Sequence, residues 1–178
     1  MTEPLSPVAE LRAADPWERT ICYHEAGHFV ACLLLGIDTD HVQMEFSFWG
    51  RALGGHVALR TVGPDREADC KPVDDAVMTF AGFAAQVLYH RLYGGPEPDP
   101  EPSASDTELG LAALARCRGV SERQARSRAE HLVLVNWARV EALAARLHQR
   151  HKLSRAAATR ATRVPRRTVV PPPARSLR

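Results

Sequence analysis

One helix constrains this chain more than any other segment. Asp15-Pro16 is a helix start, with an aspartate suited to the N-cap, a proline suited to the first helical position and Glu18 in the first turn. Trp17, Ile21, His24, His28, Ala31 and Leu35 recur at helical spacing until Gly36 stops the run, which predicts a helix over about 16–35. Inside it lies His24-Glu25-Ala26-Gly27-His28, an HExxH motif. Positions i and i+4 lie about one turn apart on one face, so both imidazoles can reach a single ion. Neutral imidazole suits zinc, which in catalytic sites takes three protein ligands and keeps a position for water. Glu25 sits about 100° around the helix from His24, beside the metal rather than on it. There it can take a proton from the attacking water and return it to a leaving amine. The ion would lower the pKa of water to about 7 and polarise a scissile carbonyl.

A third ligand must come from another part of the chain. The extended metzincin pattern needs Gly and His where this chain has Ala31 and Leu34, so that class is excluded. A thermolysin-like glutamate on the next helix is also missing, because none occurs between Glu67 and Glu97. Asp106, just after Ser105 at the start of a later helix, is the better candidate.

The rest of the sequence organises around that helix. Residues 41–48 partly alternate and residues 54–60 follow glycine punctuation, predicting two short strands or a hairpin. Gly63-Pro64-Asp65 opens a loop over about 63–71. A second helix is expected over about 72–93, ended by Gly94-Gly95, and Pro96–Pro102 reads as an extended loop. Ser105 can cap a third helix that fades by Arg118-Gly119, and a long fourth helix is expected over about 121–149. The fold class is therefore mainly α with a small β-sheet or hairpin. The expected organisation is an N-terminal arm over 1–14, one domain over 15–151 and a tail over 152–178. The tail carries eight basic residues and no acidic one, which leaves −6 on residues 1–151 against +2 for the whole chain. Without apolar periodicity, it is expected to be disordered.

Four segments in order resemble the FtsH-type zinc proteases. Tyr23-His24-Glu25-Ala26-Gly27-His28 is similar to that family's metal helix, and Gly50-Arg51-Ala52-Leu53-Gly54-Gly55 to the stretch near its substrate-binding strand. Ala81-Gly82-Phe83-Ala84-Ala85-Gln86 resembles its glycine-x-alanine-alanine-glutamate helix, and Ala104-Ser105-Asp106 the segment carrying its third ligand. With the intervening helices these cover about residues 15–150. The resemblance implies a zincin-like helical peptidase domain with zinc on His24, His28 and Asp106 and with Glu25 as catalytic base. It also implies substrate contact at Gly54 and Gly55, and support of the metal ligands by Gln86. Two departures matter. Gln86 stands where the family has glutamate, so a hydrogen bond there survives only in neutral form. Ser105 stands where an asparagine is usual, which keeps Glu108 as an alternative ligand.

The chain as given contains no GxxxxGK[ST] phosphate loop and no apolar run of the roughly 18–20 residues a membrane span needs. The expectation is thus an ATP-independent zinc peptidase acting on peptides or unfolded proteins. The competing expectation is a zinc-binding adaptor that has lost catalysis. A homo-oligomer is admitted but not implied, since related proteases assemble partly through their ATPase rings. Cys22, Cys32, Cys70 and Cys117 are scattered and no signal peptide is evident, which suits a reduced, cytoplasmic protein. The basic tail could meet nucleic acid by charge, but it lacks aromatic residues for base stacking, so nucleic acid is not the expected partner. His148 and His151, at i+3 near a helix end, are expected to be solvated, and the three tryptophans to serve as core or edge packing.

Overall fold

The computed structural model describes residues 6–60, 72–98 and 104–163. The predicted loop at 63–71, Cys70, part of the proline loop and the arginine-rich end of the tail lie outside these residues. The chain is mainly helical with a small three-stranded antiparallel sheet. The helices are α1 (Pro7–Ala13), α2 (Pro16–Leu35), α3 (Pro72–Tyr93), α4 (Ala104–Ala115), α5 (Glu122–Val135), α6 (Trp137–Arg150) and α7 (Arg155–Ala161). The strands are β1 (Thr39–Phe46), β2 (Ala52–Leu59) and β3 (Lys152–Ser154), in the order β2-β1-β3.

Helix α2 occupies the centre. The Asp15 side chain accepts hydrogen bonds from the backbone N–H groups of Trp17 and Glu18, and Gly36 closes the helix in the left-handed conformation. Between Thr20 and Cys32 every residue is buried except His24, which is half-buried. A helix covered nearly all round is a core element rather than a surface one. Its tightest neighbour is α3, and Gly27 is the reason. A Cβ on Gly27 would lie 2.5 Å from the Ala81 carbonyl oxygen, so only glycine lets the two helices approach this closely.

The sheet covers one side of α2. In β1, Val42 and Met44 point into the core while His41, Gln43 and Glu45 face outward, the period-2 pattern of a sheet with one buried face. The β1–β2 register sets Val42 against Val57 and Met44 against Gly55. The Trp17 indole N–H donates to the Ala52 carbonyl at 3.2 Å, tying the start of β2 to α2.

Four expectations need correction. The single long helix at 121–149 is two helices broken at Asn136, whose side-chain amide donates to the Leu132 carbonyl at 2.9 Å. The break turns Trp137 into the core, where it stacks on Tyr23 at 5.2 Å; Tyr89 stacks on Tyr23 at 4.5 Å. The apolar stripe runs through position 136, so periodicity alone could not show the interruption. Second, the disordered tail does not begin at Lys152. Lys152–Ser154 pairs with β1, and α7 follows, with Leu153 and Ala158 buried. Isolated apolar residues give no periodic signal, and their order comes from pairing with a strand more than a hundred residues earlier. Third, the N-terminal arm contains α1, whose Leu11 is fully buried in the same core. The ordered unit therefore extends beyond 15–151 at both ends. Fourth, Ser105 lies inside the first turn of α4 and does not precede it.

Candidate metal centre

The two histidines of α2 meet α4 across the face of α3. His24 Nε2 lies 2.9 Å from Asp106 Oδ2, His28 Nε2 lies 3.2 Å from the same oxygen, and the two Nε2 atoms are 2.9 Å apart. These three side chains form a group whose ligand atoms all fall within 4.8 Å of one another. Ligand atoms about 2.1 Å from a tetrahedral zinc are about 3.4 Å from each other, a little more than the separations here. Three groups that all carry lone pairs converge, and a proton or a cation must sit among them.

The His28 Nδ1–H donates to the Met78 carbonyl of α3 at 2.9 Å. A carbonyl can only accept, so this bond fixes the tautomer and leaves Nε2 for the cluster. Gly82, one turn further along α3, makes the room. A Cβ there would lie 2.4 Å from His28 Nε2 and 2.8 Å from His24 Nε2. Gly82 was not among the residues singled out as functional in the sequence. Its signal was an isolated glycine in a helical pattern, which calls for a packing or functional reason.

The charges follow from this geometry. Burial opposes a charge on His28, but the hydrogen bond and negative charge of Asp106 outweigh it and hold the metal-free imidazole up at about 9. Burial likewise opposes the Asp106 carboxylate, yet hydrogen bonds from both histidines pull it well below the usual carboxylate range. Glu25 is raised, chiefly by burial, with His24 and His28 partly offsetting the shift. Its Oε2 and the Nδ1 of His24 are buried without a hydrogen-bond partner among the described residues.

These residues line an opening of about 410 Å³, within the range of small-ligand sites. Gly54, Gly55 and His56 of β2 form its wall. A Cβ on Gly55 would meet Glu25 Cγ at 2.6 Å, so this glycine lets the strand close over the acid. Gln86 of α3 also lines the opening and is buried. Glu108 is exposed on α4 and takes no part in the cluster, so of the two candidates for third ligand the fold brings Asp106 to the histidines.

Neither a family model nor a curated protein matches this chain. The residues and their geometry carry the reading. The donor set of two imidazoles and one carboxylate fits zinc, as do the fixed His28 tautomer and the space left by Gly82.

The remaining sequence candidates fall elsewhere. His148 is not free at a fraying end, because its Nδ1 pairs with Glu18 Oε1 at 2.8 Å. His151 ends α6 in the left-handed region with its ring 4.5 Å from Phe46, and its carbonyl accepts from Met44 N. Trp137 is core and Trp17 lines the opening, whereas Trp49 is 89% exposed beside Phe48 at the turn between β1 and β2.

Proposed function

We propose that this chain is a zinc-dependent, ATP-independent peptidase with a zincin-like domain of the FtsH type, cleaving peptides or unfolded protein segments. The convergence of His24, His28 and Asp106 beside the buried, partnerless Glu25 carboxylate oxygen carries this reading. Zinc held by these three side chains would polarise a scissile carbonyl and make water a nucleophile near neutral pH. Glu25 takes the proton of the attacking water and delivers it to the leaving amine. Its burial suits it to both steps, because an acid–base group works best with a pKa moved towards the working pH. Strand β2 lies at the edge of the sheet and walls the opening, so an extended peptide can add to it as a further strand past Gly54 and Gly55. The buried thiol of Cys22 accords with a reducing, cytoplasmic setting.

A second reading, a zinc-binding adaptor without catalysis, draws support from Gln86. This buried neutral side chain stands on the wall of the opening where the resembled family has a glutamate. One experiment separates the readings. Zinc content and cleavage of casein or a quenched peptide are measured for wild type and Glu25→Gln. The peptidase reading expects the variant to keep its zinc and lose about 10²- to 10⁴-fold in rate. Equal cleavage by both proteins refutes Glu25 as the base. Stoichiometric zinc in a wild type without activity on either substrate favours the adaptor.

A further inference from the structure

Strand β1 carries a second pair of histidine contacts on the face of the sheet opposite the core. His41 of β1 and His56 of β2 lie on adjacent strands, their rings 5.6 Å apart and inclined at 66°. Each ring is anchored through Nδ1: His41 to Asp40 Oδ2 at 2.8 Å and His56 to Glu45 Oε1 at 2.9 Å. Carboxylates only accept when ionised, so both Nδ1 atoms donate, and in each neutral ring the lone pair resides on Nε2. A carboxylate on the far nitrogen is the usual support of a metal-bound imidazole, because it fixes the tautomer and raises the basicity of the ligating nitrogen. Neither Nε2 has a hydrogen-bond partner among the described residues.

The two ring centroids are also about as far apart as those of two imidazoles on one ion. An imidazole centroid lies about 3.2 Å from a zinc bound at its nitrogen, so two such rings at a tetrahedral angle stand about 5 Å apart. The rings of His24 and His28 are 4.5 Å apart, and those of His41 and His56 5.6 Å. This half-buried pair has no third side chain within ligand distance among the described residues, so water would complete the shell. Two neutral imidazoles and water select a borderline divalent ion such as zinc, nickel or copper(II) over calcium or magnesium.

We propose that His41 and His56 form a second, weaker and exchangeable site for such an ion, with Asp40 and Glu45 orienting the two rings. The site is independent of the peptidase reading. It stands on the outer face of the sheet, and His56 also lines the rim of the opening over the HExxH centre.

Equilibrium dialysis of the full chain against rising free zinc tests the proposal, with bound metal counted by elemental analysis. Wild type is expected to fill one tight site and then one weaker site. His41→Ala and His56→Ala should each stop at the tight ion, and His24→Ala should keep the weaker one. Far-UV circular dichroism checks that each variant is folded, and His41→Gln replaces the alanine variant if it is not. Zinc uptake by a folded His41 or His56 variant that matches wild type in amount and affinity, or a wild type whose entire zinc uptake is lost in His24→Ala, overturns the proposal.

Discussion

Replacing Gly82 with alanine sets two effects against each other, and the structure says which one zinc binding will report. Alanine is the better helix former by about 1 kcal/mol in a helix interior, so on propensity alone Gly82→Ala stabilises α3. The new Cβ, however, would lie 2.4 Å from His28 Nε2, 2.7 Å from its Cε1 and 2.8 Å from His24 Nε2. An ordinary carbon–nitrogen contact is about 3.5 Å, so the His28 ring must retreat by about 1 Å. His28 cannot swing away freely, because Nδ1 is tied to the Met78 carbonyl and the ring is buried. Overpacking of this kind costs about 1–3 kcal/mol, which cancels or exceeds the helix gain. Displaced ligands should therefore weaken zinc binding about 10- to 100-fold, or about 1.4–2.7 kcal/mol, while the metal-free protein loses about 0–2 kcal/mol of stability. Competition against a chromophoric chelator measures the first quantity and a thermal melt the second. Gly54→Ala is the control, since a Cβ there meets nothing within 4 Å. Wild-type zinc affinity in a folded Gly82→Ala protein would refute the argument that this glycine makes room for the ligands.

Three further outcomes are expected. Asp106→Ala should lose zinc while Glu108→Ala keeps it, measured by metal content after dialysis, because only Asp106 reaches the histidines. Zinc binding should release about one proton at pH 7, since His28 without metal is held at about 9 and is therefore protonated below that pH. Calorimetry in buffers of different ionisation enthalpy reads this release, and the apparent affinity should rise with pH and level off above about 9; no release at pH 7 contradicts the assignment. Leu153→Ala should destabilise the fold by about 2–3 kcal/mol in urea unfolding, whereas a residue in a disordered tail would cost nothing measurable.

The sequence by itself determined the features whose causes are local. Helix α2 runs from Pro16 to Leu35 as expected, because the Asp15 cap, Pro16 and Gly36 act within a few residues of the ends they define. Helix α3 and the pairing of β1 with β2 were equally legible, from an apolar run ended by glycines and from partial alternation in two neighbouring segments, although Gly54 and Gly55 lie within β2 rather than before it. The HExxH spacing placed His24 and His28 on one face because the helix repeat does so wherever the motif is helical. Only the tertiary structure decided between Asp106 and Glu108. They lie two residues apart on one helix, and the packing of α4 against α3 turns one inward and leaves the other exposed. It also gave Gly82 its role, since a missing side chain matters only when another helix brings two imidazoles to that spot. The third strand has the same origin. Leu153 is a lone apolar residue in a basic stretch, and β1 supplies the hydrogen bonds and the buried surface that order it. Local propensities act over a turn of helix or a pair of strand residues, whereas these placements depend on contacts between segments some fifty to more than a hundred residues apart.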